Sequence, residues 1–232
     1  MKKIQIITLI IIVIILVGFV FIYNFYPKNS NVKSIQQDVS LVRKDGNNLI
    51  LKLDNGQEKI LTDDLLQENN RDNGCNACYD FDKLYEDINI YGINIYLYEG
   101  IRYSLVNKNN GEEIDTISKK IIISSDKKRI VSYDLDLEMG DTNGFEIINI
   151  ENNQLKSEIK VNPLEKRPQE IWGPSKITWL SDSEIEVEKS VMDYSKIPVN
   201  ESPTGVKYPD DYLQKIGIIK YKLINGSWVE EK

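Results

Sequence analysis

From residue 39 onward the chain reads as short apolar runs cut by tight-turn signals, and this constrains its fold more than any other feature. The runs 39–44, 49–54 and 57–61 are separated by Asp45-Gly46 and Asn55-Gly56. Such dipeptides supply the positive φ that hairpin turns require. A second series follows at 88–98, 101–107 and 112–117, turning at Glu99-Gly100 and at Lys108 to Gly111. Further pairs of runs lie at 120–124 and 129–138, 144–150 and 154–161, 176–180 and 184–191, and 216–224 and 227–231. Ile, Val and Tyr dominate them, as half-buried pleated surfaces prefer. The pattern predicts an all-β domain of antiparallel hairpins. One stretch, 62–69, has the composition of a short helix capped by Thr62 or Asp63.

The hairpins repeat. The segment KIIISSDKKRIVSY (120–133) matches KITWLSDSEIEVE (176–188) in outline: an apolar strand, a Ser-Asp turn, a second strand. Each is followed by an Asn-centred hairpin, GFEIINIENNQL (144–155) and IGIIKYKLINGSW (216–228). YSLVNKNNGEEI (103–114) and LILKLDNGQEKI (49–60) look like the same second hairpin in earlier units. Four-strand units of roughly 40–55 residues are the pattern of propeller blades. On these segments, about half the chain, the sequence resembles the bacterial envelope propellers whose blades carry a Ser-x-Asp-Gly-Lys turn, the Tol-associated periplasmic propeller among them. SSDKKR (124–129) follows that turn without its glycine, and LSDSE (180–184) departs further. The resemblance implies a propeller-like array and no particular activity; the alternative is an irregular β-sandwich.

Ahead of this domain, Ile4 to Tyr26 contains no charged residue. As a helix it would be roughly 34 Å long, enough to cross a bilayer core. Tyr23, Phe25 and Tyr26 gather at its far end like an interfacial aromatic belt, and Pro27 ends it. It is too long for the apolar core of a cleaved signal peptide, and no small-residue cleavage site follows. The expectation is an uncleaved anchor (1–26), a polar linker (27–38), and a β-rich extracytoplasmic domain (39–232). Lys2 and Lys3 precede the span, while Lys28 and Lys33 follow it, so flanking charge does not set its direction. The short leading tail favours a cytoplasmic N-terminus and a translocated C-terminal domain, periplasmic or extracellular.

Charge and composition exclude several function classes. From Asp38 onward the chain holds all 36 Asp and Glu, against 25 of the 29 Lys and Arg, a net of −11. Such a surface repels phosphate backbones, so nucleic acid is not an expected partner. There is no histidine. That removes Ser-His-Asp and Cys-His catalysis, His-held zinc or haem, and a histidine pH switch. No Gly-rich phosphate loop and no G-x-S-x-G are present, and no cofactor or metal is expected.

Three stretches remain as candidates. The only cysteines, Cys75 and Cys78, are spaced C-x-x-C. Thioredoxin-type sites start a helix after a sheet strand. Here the chain is β-rich, and Asp72, Asp80 and Asp82 raise rather than lower a thiol pKa. A local disulfide in an exported domain is the expectation, with a thiol oxidoreductase as the rival. In YDLDLEMGDTNG (133–144), Asp134, Asp136 and Glu138 would share one face of a strand, but Met139 and Phe145 stand where a calcium loop needs Gly and Glu. An amphipathic strand with a solvated acidic face is expected. The Pro-broken stretch 192–215 carries Tyr194, Tyr208, Asp210, Asp211 and Tyr212, rigid aromatics beside charge, as binding surfaces use. Trp172, beside Gly173-Pro174, joins them as a binding candidate. No pair among the many carboxylates is singled out for glycoside hydrolysis. The sequence is read as a non-catalytic, membrane-anchored binding domain whose partner is an envelope protein or surface polymer. The alternative is an immunity or inhibitor protein that neutralises a basic toxin or lysozyme-like enzyme.

Overall fold

The computed structural model describes residues 41–65, 75–98, 100–137, 142–163, 172–196 and 212–231. The proposed anchor and linker lie outside these residues. The chain divides into two units, Met1–Val39 and Ser40–Lys232, and the second is all-β.

Among the described residues sixteen strands form four antiparallel sheets, and within each sheet every strand pairs with its neighbour in sequence. The first sheet holds β1 (Val42–Asp45), β2 (Asn48–Lys52) and β3 (Glu58–Thr62). The second holds β4 (Asp64–Leu65), β5 (Cys75–Tyr85), β6 (Ile90–Leu97), β7 (Gly100–Asn107) and β8 (Glu113–Thr116). The third holds β9 (Ile121–Ile123), β10 (Arg129–Asp134), β11 (Gly144–Glu151) and β12 (Gln154–Val161). The fourth holds β13 (Gly173–Ser181), β14 (Glu184–Met192), β15 (Leu213–Ile224) and β16 (Ser227–Glu231). The two repeats read in the sequence fall on topologically equivalent hairpins, β9–β10 with β13–β14 and β11–β12 with β15–β16.

Three buried clusters lie between successive sheets. Leu49, Leu51 and Leu61 of the first sheet meet Tyr91, Ile93, Ile95 and Val106 of the second. Ile90, Tyr103 and Leu105 of the second meet Ile130, Ile148 and Leu155 of the third. Val131, Phe145, Ile147 and Val161 of the third meet Ile177, Ile185, Val187, Tyr221 and Trp228 of the fourth. The inner sheets therefore bury apolar residues on both faces. This is why INIYGINIYLY and GFEIINI read as near-continuous runs rather than as alternating ones.

The last strands of the sheets are tied in series. Lys59 of β3 pairs with Glu113 of β8 at 3.1 Å. Glu112, just before β8, accepts the Leu155 amide of β12 at 3.2 Å. Glu158 of β12 accepts the Trp228 indole N–H of β16 at 2.7 Å and pairs with Arg129 at 2.9 Å.

The meander puts turns alternately at two ends. One end gathers the tight turns β2–β3, β5–β6, β7–β8, β9–β10, β11–β12, β13–β14 and β15–β16. Asn89, Asn152, Asn153 and Asn225 there adopt the left-handed conformation, which Asn tolerates better than most residues. Their side chains lock the end. Asp54 pairs with Lys108 and accepts Asn89 Nδ2 at 2.5 Å. Asn109 receives a hydrogen bond from Asn89 and gives one to Asn153 Oδ1 at 3.0 Å. Asn107 and Asn110 both donate to the Asn153 carbonyl, at 3.0 and 2.8 Å. The other end carries the two-residue turns β1–β2 and β6–β7, the short links β3–β4 and β8–β9, and the longer connections β4–β5, β10–β11, β12–β13 and β14–β15.

Several expectations need correction. Within 62–65 there is no helix: Thr62 ends β3, Asp64–Leu65 form β4, Asp63 Oδ1 accepts the Tyr79 amide at 2.8 Å and Leu65 pairs with Cys75. The strand expected over 129–138 ends at Asp134. Asp136 turns back to accept the Thr142 hydroxyl at 2.8 Å, and its amide donates to Asn143 Oδ1. The longest strand of the second sheet, β5, has no counterpart among the strands expected from the sequence.

Candidate functional site

Of the expected binding residues, Trp172, Tyr194 and Tyr212 are described, and Tyr194 and Tyr212 flank the β14–β15 connection. Tyr194 opens a short 3-10 turn after β14 and is 75% exposed. Tyr212 stands half-buried before β15, and its carbonyl accepts the Asp193 amide at 2.8 Å. That bond closes the neck of the β14–β15 connection. Tyr208, Asp210 and Asp211 lie outside the described residues. Trp172 is different: it is 7% exposed and belongs to the cluster between the third and fourth sheets. Asn143 donates to its carbonyl at 2.8 Å, and the Lys189 ammonium sits 5.4 Å from its ring centroid. It covers the start of β13 and is buried there.

Cys75 and Cys78 are joined as a disulfide, with Cα atoms 5.7 Å apart. They open β5 at a register shift between Asp64 and Leu65, where an extra residue bulges from the strand. The bond closes this bulge, and Cys78 lies in register with Tyr96.

Reasoning from the sequence missed a polar layer between the second and third sheets. Near the locked end that interface is apolar. Towards the other end the residues facing the gap change character. On the second sheet Asp80, Asn94, Tyr103 and Thr116 lie in one cross-strand row. On the third sheet Ser132, Glu146 and Lys160 form the opposing row. Ser118 ties the two: its carbonyl accepts Thr116 Oγ1 at 3.0 Å and Ser132 Oγ at 2.8 Å, and its amide donates to Ser132 Oγ at 3.0 Å.

Tyr103 anchors the layer. Its hydroxyl donates to Asp82 Oδ2 at 2.8 Å and lies 3.2 Å from the Tyr85 hydroxyl. Asp82 is the bulged residue of β5, between Phe81 and Lys83 in the register. The bulge turns its carboxylate towards the phenol. A Cβ on Gly92 would sit 1.9 Å from the Tyr103 oxygen, so only glycine admits the ring here. Burial, then the bonds from Tyr85 and to Asp82, push the Tyr103 hydroxyl far above its ordinary pKa. It therefore stays protonated and acts as a donor. Tyr91, on the opposite face of the same sheet, is pushed up to about 12 by burial, and its hydroxyl donates to the Lys52 carbonyl at 2.6 Å.

The arrangement offers acceptors and aromatic surface. Tyr98 is 73% exposed beyond the row, with Tyr96 and Ile101 exposed beside it. The signal in the sequence was slight, an Asn and a Glu inside otherwise apolar strands.

No protein-family model matches the chain, and no curated protein matches it. Among solved structures, a complex from S. cerevisiae of a Dbp5 variant bound to Nup159, a Gle1 variant, IP6 and ADP aligns with a TM-score of 0.34 and 11% identity. The alignment covers 82% of this chain and 46% of that one. A likeness at that level carries no argument about fold or function.

Proposed function

We propose that this chain is a membrane-anchored, extracytoplasmic binding domain with a propeller-like array and no catalytic role. The observation that carries the reading is the contrast between the two ends. One end is closed by short turns and a continuous side-chain network. The other carries the longer connections, exposed tyrosines and the open side of a polar layer. Binding surfaces are commonly built this way, on loops held by a rigid scaffold. The propeller-like reading is supported by four consecutive meander sheets, an apolar cluster between each successive pair, and last strands tied along one side. The array is open. The face of the fourth sheet turned from the third sets Glu184 and Glu186 opposite Lys222 and Lys220, a surface suited to water rather than to a fifth layer.

The uncharged run 4–26, the disulfide and the absence of histidine support an exported, non-catalytic protein anchored in a membrane. The partner is an envelope protein or surface polymer. The net charge of −11 favours, as the second reading, an immunity or inhibitor protein for a basic toxin or lysozyme-like enzyme. The thiol oxidoreductase reading is weakened, because the cysteines staple a strand bulge instead of opening a helix.

Protease added to intact cells and to lysed cells tests the placement. Digestion of the C-terminal domain in cells with only the outer barrier opened is expected; protection until the inner membrane is lysed overturns it. Capture of envelope proteins on the immobilised full chain then tests the partner class. Salt-sensitive capture of a strongly basic protein favours the inhibitor reading.

A further inference from the structure

The polar layer contains two side chains that the fold buries and does not use. Glu146 is 6% exposed and Asn94 is 9% exposed. Among the described residues neither side chain makes a hydrogen bond or an ion pair. Among the same residues no side-chain oxygen or nitrogen sealed from solvent lacks a partner. The polar atoms of Glu146 and Asn94 are therefore reached by solvent rather than sealed in packed core. Lys160 is the cross-strand neighbour of Glu146, yet it is exposed and forms no ion pair with it. Lys120, the other nearby cation, is already held by Asp134 at 3.1 Å.

A recessed carboxylate that solvent still reaches, and that no described side chain has claimed, is free to accept a ligand's charge and donors. What would satisfy this layer is a compact cation with several donors: a carboxylate and an amide oxygen accept, and Asp80 and Asp82 add negative potential. A protonated primary amine has three donors on one small centre, whereas a guanidinium is a wide planar fork. The exposed Tyr96, Tyr98 and Ile101 at the rim fit an aliphatic stem, and tyrosine faces attract an ammonium.

We propose that the layer between the second and third sheets binds a protonated primary alkylamine, the lysine side chain of a partner protein. This rests on the binding-domain reading and names the chemistry that its site recognises.

Saturation-transfer NMR on the full chain in detergent micelles tests the site without any partner. The probes are N-acetyl-lysine methylamide, its neutral isostere N-acetyl-norleucine methylamide, and cadaverine. Saturable binding of the lysine probe is expected, with none for norleucine. Glu146→Gln should weaken lysine binding at least tenfold while melting near the wild-type temperature, because no protein partner of the carboxylate is lost. Asn94→Asp, which adds an acceptor charge, should tighten binding severalfold. Equal binding by norleucine, unchanged binding in Glu146→Gln, or failure of that variant to fold would overturn the site. In the last case Glu146 would be a structural counter-ion. Cadaverine binding tighter than the lysine probe would overturn the protein source in favour of a free diamine. Lysine binding without any basic protein captured would sink the inhibitor reading and leave the site standing; the converse would remove the site alone.

Discussion

The interface between the third and fourth sheets and that between the second and third are built on opposite terms. The former is packed with aromatic rings. Phe145 meets Tyr221 edge-on at 5.1 Å and Trp179 meets Trp228 at 6.1 Å. Its half-buried carboxylate, Glu158, is fully engaged by Arg129 and the Trp228 indole. The latter is apolar for half its depth and then gives way to hydroxyls, an amide and carboxylates, with Asn94 and Glu146 idle among them. One joint is filled with partnered groups, and the other leaves acceptors unclaimed among the described residues. Proteins surrender some stability where a surface must recognise something.

Trp228→Ala should break the aromatic joint and have the largest effect, about 3–5 kcal/mol by denaturant unfolding. Trp228→Phe should recover most of it. A loss below about 1 kcal/mol for the alanine variant would mean that this joint is not where stability lies. Gly92→Ala strikes the other joint by driving a methyl into the Tyr103 hydroxyl, and should cost about 3 kcal/mol, the upper range for overpacking. Tyr103→Phe removes the nearer clashing atom, so the double variant should be less destabilised than the sum of the singles. Strict additivity would show that the two positions do not meet. Cys78→Ser should remove about 2 kcal/mol in the chain-entropy picture of so small a loop. Its melting curve should keep a single transition, since the bond staples one bulge.

The smallest effect concerns the locked end. The Lys108 ammonium and the Asn89 amide hold the Asp54 carboxyl below its usual range. A depressed carboxylate stabilises the fold above its unfolded pKa of about 3.9 and loses that contribution as pH falls through the lower folded value. Asp54→Asn should therefore flatten the stability profile below about pH 4 and leave it parallel above. A pH-independent offset would assign Asp54 a packing role instead.

Much of the fold was legible because hairpin chemistry is local. Asn-Gly at 225–226 and Asn-Asn at 152–153 fix turns wherever they occur, and β12 and β16 carry the boundaries expected from the sequence. Strand β5 was missed because CNACYDFDKLY mixes acids and aromatics without clean alternation, and the Asp82 bulge shifts its faces midway. The two idle polar residues were hidden for a related reason. Where both faces of a strand are buried, alternation disappears, and Asn94 or Glu146 cannot be assigned to a core or a solvent face until both neighbouring sheets are known. The Gly-Pro beside Trp172 does not by itself fix its exposure, because its surroundings include Asn143 and Lys189 from other segments.

The strict neighbour-to-neighbour pairing also bears on how the chain is made. No described strand waits for a partner supplied much later in the sequence, so a polypeptide emerging N-terminus first completes each sheet before the next begins. Within each sheet, the edge left by one strand is covered by the next strand to emerge. The order of synthesis is then the order of assembly, and the tryptophan-rich joint at the C-terminal end arrives last, closing a stack that is already in register.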